Sequence, residues 1–345
     1  MIPHSLPTLD RAAHSAVLRV MRSGHITPGS EADAFEAELG RAVRRRHVVA
    51  TNSGHAALHL ALLGLGVGDG DEVILPTYCC SALLNAVHYV GARPRVVDVD
   101  DSTFNVTPDL IRRHVRRKTR AIIVPHMLGL PADVEGIAAL GPPVIEDAAM
   151  AIGGRIRGRP VGSFGEVSIF SFYATKVMAT GQGGAVATDR SRVASRLRDL
   201  VSYDKQKTYS VRYNYTLSDL QAALGRAQLR SLPAFIAKRR KIARLYSEKL
   251  SGYRIPRGRG HAYYRYALLL DGTARAASRR LARMGVEAKL PVFRPIHRYL
   301  GSPAKGYPST ERFCDRLLSI PIYPSLTLAA ARRVAAAVLE TLGGR

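Results

Sequence analysis

Seven short runs rich in β-branched residues punctuate residues 47–188, and helix-patterned stretches fill several of the gaps between them. The runs are HVVAT (47–51), EVILP (72–76), PRVVDV (94–99), RAIIVP (120–125), PVIEDA (143–148), VSIFSF (167–172) and GAVAT (184–188). Each is bounded by Gly, Pro or Asp and is apolar almost throughout, as strands buried on both faces are. The stretches AALHLALLGL (56–65), SALLNAVHYV (81–90), PDLIRRHV (108–115) and VEGIAAL (134–140) carry helical periodicity. Strands joined by helical crossovers predict an α/β fold, with a large domain built on a seven-stranded, mostly parallel sheet.

From about residue 191 the pattern turns helical, through SRVASRLRDLVSY, LSDLQAALGRAQLRSL and FIAKRRKIARLYSEKL. The link SGYRIPRGRGHA (251–262) reads as a boundary, followed by a strand (263–270), a helix (273–285), a strand VEAKL (286–290) and a last amphipathic helix from 327. This predicts a small C-terminal α+β domain. We place the division at 1–235, including an N-terminal arm, and 236–345.

The 345 residues carry 51 Lys+Arg against 27 Asp+Glu, a net charge of +24. Nine of the basic residues are Lys and 42 are Arg, spread along the chain with short runs at Arg44–Arg46, Arg112–Arg120 and Lys238–Lys241. Codon bias and solvated helix faces account for most of this excess, and the rest leaves room for an anionic ligand. No apolar run reaches 18 residues and no basic start precedes an apolar segment, so neither a membrane span nor a secretory signal is expected and the default location is the cytoplasm. Cys79, Cys80 and Cys314 cannot form a disulfide framework. His55 and His59 share a helical face, but the intervening Glu of a zinc-protease motif is absent, so no metal is expected.

The strand–turn–helix at Thr51-Asn52-Ser53-Gly54-His55 has one glycine, so the G-x-G-x-x-G dinucleotide motif is missing, as is a Walker A loop. The turn still offers free N–H groups and the positive end of a helix dipole, an arrangement that suits an anion. Gly181-Gln182-Gly183-Gly184 precedes a strand and reads as a flexible approach to it. Two further features fall at strand C-termini, where open parallel sheets bind ligands. PVIEDAA places Glu146 and Asp147 there, and SIFSFYATK puts Lys176 a few residues past a buried strand. A lysine leaving a buried strand into a cleft can be partly desolvated, which frees its amine as a nucleophile. A lysine for a Schiff base, a carboxylate for a pyridine nitrogen and a helix-end phosphate cradle together match the needs of pyridoxal phosphate (PLP).

The ordered set SGHITPGSEADAFEAEL, TNSGHAALHLAL, GDEVILPTY, NAVHYVGARPRVVDVD, KTRAIIVPHMLGLPAD, VIEDAA, SFGEVSIFSFYATK, GQGGAVAT, NYTLSDLQAA, PIH and IPIYPSLT resembles the DegT/StrS-type sugar aminotransferases, PLP enzymes of fold type I. The resemblance covers nearly the whole chain. It implies that Lys176 forms the Schiff base and carries protons, and that Asp147 pairs with the pyridine nitrogen. It further implies that Ser53, Gly54, His55 and Ser171 hold the phosphate, and that Asn214 reaches it from the second subunit of a homodimer. The resemblance also implies that Cys80 and Met150 occupy ring-contacting positions and that His297 lies in a loop near the substrate. Four positions differ from the usual family residue: His55 stands for Thr, Cys80 for an aromatic, Met150 for Gln and Thr216 for Arg.

The resemblance implies an aminotransferase that moves an amino group from a donor, glutamate, to a keto-sugar linked to a nucleotide diphosphate. The unusual residues at 80, 150 and 216 leave a second acceptor class open, a keto-cyclitol or other secondary-metabolite carbonyl. A remote third reading, a regulatory protein using its basic surface for nucleic acid, finds no helix-turn-helix module to support it.

Overall fold

The computed structural model describes residues 1–256 and 258–343. Two helices open the chain, α1 (Arg11–Ser23) and α2 (Ser30–Val43). The alternating region follows: β1 (His47–Thr51), α3 (Gly54–Gly64), β2 (Glu72–Pro76), α4 (Ala82–Tyr89), β3 (Arg93–Val97), α5 (Pro108–Arg112), β4 (Thr119–Pro125), α6 (Val134–Ala138) and β5 (Val144–Asp147). A hairpin of β6 (Arg155–Ile156) and β7 (Arg159–Pro160) precedes β8 (Val167–Ser171), β9 (Gly184–Thr188) and α7 (Ser191–Val201). The remaining elements are α8 (Asp219–Lys249), β10 (Tyr266–Leu269), α9 (Ala274–Arg283), α10 (Ile296–Tyr299), α11 (Pro308–Phe313), β11 (Leu317–Ile320) and α12 (Leu328–Leu342).

The seven expected strands form one sheet in the order β1-β9-β8-β5-β4-β2-β3. Only β9 runs antiparallel, pairing β1 from His47↔Thr188 and β8 from Val167↔Thr188. The C-terminal ends of β1, β4, β5 and β8 therefore open on one edge, with the start of β9 among them. Helix α3 lies beneath this edge and buries nearly every residue from Ala56 to Leu62, which its Ala/Leu content permits on all faces.

Helix α8 corrects one expectation. Two helices were predicted across Leu217–Leu250, yet one 31-residue helix runs through, with Pro233 inside it. A proline removes one helical hydrogen bond. Leu229, Leu232 and Ile236 around it are buried against the sheet-side core, and this packing holds the axis through the break. The expected division at 235/236 falls within this helix. Its first half packs into the sheet-side core, and Ile242, Ala243 and Tyr246 pack with α9, α12, β10 and β11 into a separate core. The first residues of the chain reach that second core, since Ile2 bridges Val286 and His4 Nε2 meets Ser319 Oγ at 2.9 Å.

VEAKL is not a strand. Val286 and Ala288 are buried with the period-2 pattern that suggested one, but its pairing reduces to isolated bridges at Val286 and Lys289. The expected helix at 108–115 stops at Arg112. Arg257, within the 251–262 link, lies outside the described residues. Two basic runs also prove partly internal. Arg45 donates to the carbonyls of Gly162 and Gly165 and pairs with Asp189, while Arg239 donates to the carbonyls of Tyr263, Tyr264 and Ile322. No helix among the described residues is long and apolar enough to cross a membrane.

Glu146 is fully buried and gathers a hub behind the sheet edge. Its carboxylate accepts from the amides of Gly162, Phe164 and Gly165, from Ser168 Oγ and from His126 Nε2. Burial alone would raise its pKa, but the His126 contact and the amide hydrogen bonds outweigh it and bring the carboxyl down to about 2. Glu146→Ala leaves these donors without an acceptor and is expected to cost at least about 3 kcal/mol, read as a lower urea midpoint. Because the folded pKa lies below the unfolded value, the wild-type contribution is complete above pH 4.5 and is lost as pH falls toward about 2. The variant should therefore show a flatter acid limb of stability against pH.

Candidate active site

Ser53 caps α3, its Oγ accepting from Ala56 N–H at 3.0 Å, which fixes the first turn of the helix under the sheet edge. A Cβ on Gly54 would lie 2.6 Å from Ser171 Cβ, and one on Gly184 would lie 2.5 Å from the Ser53 carbonyl. The end of β8, the start of β9 and the helix N-terminus are thus pressed together. Within the Gly181–Gly184 segment, Gly181 and Gln182 are exposed, whereas Gly183, at φ 151°, and Gly184 are buried and closely packed. Free helix N–H groups and the Ser171 hydroxyl meet at this point, which is suited to a phosphate.

Asp147 ends β5 and is 5% exposed. Its Oδ1 accepts from Ala149 N–H at 2.9 Å, and no other hydrogen bond reaches the carboxylate among the described residues. Burial raises this carboxyl above the ordinary Asp range, and the Ala149 amide and the Lys176 charge pull it partly back. Lys176 is therefore close enough to act on Asp147 electrostatically. Its Nζ has no hydrogen-bond or ion-pair partner among the described residues and rests 5.1 Å from the Tyr264 ring centroid. The structure thus brings together the lysine, the carboxylate and the helix-end cradle along one sheet edge.

The other expected positions sit as follows. The His55 ring stacks on Tyr89 at 5.2 Å, and its Nε2 is buried without a partner among the described residues. Burial lowers the His55 pKa. Cys80 is exposed beyond β2, and Met150 is half-buried on the apolar core. Asn214 is exposed, and its carbonyl accepts from Asn52 Nδ2 at 3.1 Å in the same chain. Thr216 bridges Thr51. His297 is 1% exposed, and its two ring nitrogens meet Thr77 Oγ1 and, at 2.7 Å, Glu311 Oε1. A substrate contact by that ring would require one of these bonds to open.

Two further residues, His126 and Tyr264, stand near the site without a motif to mark them in the sequence. His126 follows β4 and hydrogen-bonds Glu146 while its backbone N–H donates to the Asp147 carbonyl. Its Nδ1 accepts from Ala132 N–H, so the proton sits on Nε2. A histidine at a strand C-terminus was the available clue. Tyr264 was hidden in an apolar run. Its hydroxyl accepts from Arg265 Nη2 at 3.0 Å and lies 3.3 Å from Thr175 Oγ1. Burial alone would raise its pKa, but the charges of Lys176 and Arg265, the Thr175 hydrogen bond and the Arg239 charge bring it to about 8.

An α/β sheet that carries an unpartnered lysine amine and a buried carboxylate at its carboxyl edge, near a helix N-terminus, is an arrangement suited to an enzyme of amine chemistry. The chain belongs to the DegT/DnrJ/EryC1/StrS aminotransferase family, whose model matches residues 7–339. It is 35% identical over 365 aligned positions, covering 99% of both chains, to a UDP-N-acetyl-3-dehydro-alpha-D-glucosamine 3-aminotransferase of Acidithiobacillus ferrooxidans. The aminotransferase TlmJ from Streptoalloteichus hindustanus superposes with a TM-score of 0.93 at 32% identity over 99% of both chains. DesV of S. venezuelae, solved with a ketimine intermediate, superposes with a TM-score of 0.91 at 33% identity over 98% of this chain and 99% of that one. The protein is a transaminase.

Two outcomes test the site geometry. Gly54→Ala forces its Cβ against Ser171 and is expected to destabilise by about 1–3 kcal/mol in thermal unfolding, with much of the loss recovered when Ser171→Gly is added. Tyrosinate absorbance should show one group titrating near pH 8, absent in Tyr264→Phe and displaced upward in Lys176→Ala. The folded pKa of Tyr264 lies below the unfolded 10.0, so its ionisation adds stability that is complete above pH 10 and lost as pH falls through 8.

Proposed function

We propose that the chain uses PLP held at Lys176 to move an amino group from glutamate to a keto-sugar linked to a nucleotide diphosphate. The observation that carries this reading is the unpartnered Lys176 amine set near a buried Asp147 whose second oxygen is free. The residues fit the cofactor. Asp147 Oδ2 has no hydrogen-bond partner among the described residues and would hold a proton on a basic ring nitrogen, gaining the cationic neighbour that a buried carboxylate needs. Gly54 lets the start of α3 press against Ser171, where a Cβ would clash, and so sets the first-turn N–H groups beside the Ser171 hydroxyl. Ser53, Gly54 and His55 through their backbone, with the Ser171 hydroxyl, would bind the phosphate, and Cys80 and Met150 would flank the ring.

When bound, PLP supplies an aldehyde carbon that condenses with amines and a ring that accepts electron density. The protein's part is proton handling. Lys176 Nζ would take a proton from the donor's α-carbon and return one to the cofactor carbon, then reverse the sequence with the acceptor. The Tyr264 ring beneath the ammonium gives it a resting place when it is not covalently engaged. Support for a nucleotide-linked sugar comes from the Acidithiobacillus relative.

Asn214 would act from a second copy of the chain. Tyr203, Tyr209 and Val211, in the segment leading to it, are all exposed, and such apolar exposure suits a homodimer interface. We also assign residues 236–345 to a distinct small domain, supported by their separate core, with α8 shared between the two units. Adjacent unpaired Cys79 and Cys80 suit the reducing cytoplasm.

Borohydride reduction should fix the cofactor covalently to the wild type and leave none on Lys176→Ala, while Asp147→Ala should lower kcat by at least about 100-fold. Retained covalent cofactor in Lys176→Ala would sink the assignment. Single-turnover reactions of the aminated holoenzyme should proceed with UDP-linked keto-sugars; turnover of keto-cyclitols alone would transfer the assignment to that acceptor class.

A further inference from the structure

On the outer side of α8, away from the lysine, a cavity of about 660 Å³ opens between three elements. The β6–β7 hairpin contributes Arg155 and Arg157, α8 contributes Arg240 and Arg244, and the segment leading into β10 contributes Arg259. Five of its eleven lining residues are arginine and none is acidic, against 42 arginines and 27 acidic residues in all 345. That concentration exceeds what composition alone delivers.

Few of these guanidinium groups are neutralised. Arg157 is 3.5 Å from Glu135, Arg155 donates to the Gly158 carbonyl within its own hairpin, and Arg240 Nε makes a long 3.4 Å contact with the His261 carbonyl. Neither Arg244 nor Arg259 has a hydrogen bond or ion pair among the described residues. Arg240 and Arg244 are one helical turn apart, a spacing at which like charges repel. His261 adds no charge, because burial lowers its pKa to about 3. It stacks face to face with Tyr263, 4.1 Å between centroids, and closes the inner wall.

We propose that this pocket binds a small anion carrying a diphosphate group, at a site separate from that of Lys176. Arginine presents several donors in a planar fork that matches phosphate oxygens, and arginines converging from three elements can engage more than one phosphate at once. The volume falls within the roughly 300–1,000 Å³ typical of small-molecule sites. Adjacent residues of one segment serve the two places: Tyr263 lines the arginine cavity and the Tyr264 ring lies beside Lys176. None of Lys176, Asp147 or Ser171 lines this cavity. The inference does not depend on which ketone the enzyme aminates.

The test is calorimetric titration of the holoenzyme with inorganic pyrophosphate. Saturable binding is expected, at least ten times tighter than that of inorganic phosphate and weaker as salt is raised. The double substitution Arg240→Ala/Arg244→Ala should raise Kd at least tenfold, whereas Arg117→Ala, at an exposed position elsewhere, should leave it within twofold. Arg244→Glu alone should weaken binding too, which guards against a folding defect in the double variant. Absence of saturable binding, equal affinity for phosphate, or unchanged Kd in the α8 variants would overturn the assignment. So would a duplex DNA that binds this face while pyrophosphate does not.

Discussion

Two adjacent carboxylates at the end of β5 organise the molecule by facing opposite ways. Side chains alternate along a strand, so Glu146 and Asp147 cannot share a surrounding. Glu146 enters a shell of amide donors and one imidazole, which stabilise its charge so strongly that its pKa falls despite complete burial. Asp147 receives one amide, and burial raises its pKa. One carboxylate is satisfied and holds the 162–168 turn against the sheet. The other keeps capacity for a cationic partner. A register slip of one residue in β5 would exchange the two environments and remove both functions.

The satisfied carboxylate also sets the approach of the lysine. Gly162 and Gly165 are held by Glu146 on one side and by Arg45 on the other, so the turn entering β8 is gripped from two directions. Strand β8 then delivers Ser171 to the start of α3, and the segment after it brings Lys176 within electrostatic reach of Asp147. The site therefore owes its geometry to groups that never touch it. Asp219 does similar work at a distance, accepting from the amides of Gly29, Glu31 and Ala32 and so tying the start of α2 to the start of α8.

The sheet was legible because burial on both faces leaves little choice of residue type. All seven strands lie within a residue or two of their apolar runs. Lys176, Asp147 and the Ser53–Gly54 turn were legible because their chemistry depends on position at strand ends, which those runs mark. What the sequence hid was side-chain destination. Glu146 and Asp147 read alike as letters. Arg45 and Arg239 read as solvated charge because each sits in a basic run, while their burial depends on carbonyls more than 20 positions away. The two helical segments on either side of Pro233 read as separate because the packing that joins them is tertiary. Tyr264 lay within YYRYALLL, where an apolar run gives no sign of which ring meets a lysine.

The contrast between buried and exposed arginines extends this point to charge. Arg45 and Arg239 spend their donors on backbone carbonyls, and each thereby fixes a turn or strap in place. Desolvation lowers the Arg239 pKa to about 9, a sign of how little countercharge surrounds it. The same helix, one residue further on, turns Arg240 outward into the basic cavity. Neighbouring positions of α8 therefore serve opposite ends, Arg239 bracing the strap that carries Tyr264 and Arg240 facing solvent from behind that strap. An anion seated on Arg240 and Arg244 would relieve repulsion on the outer face of α8 while leaving the inner, carbonyl-bound guanidinium undisturbed.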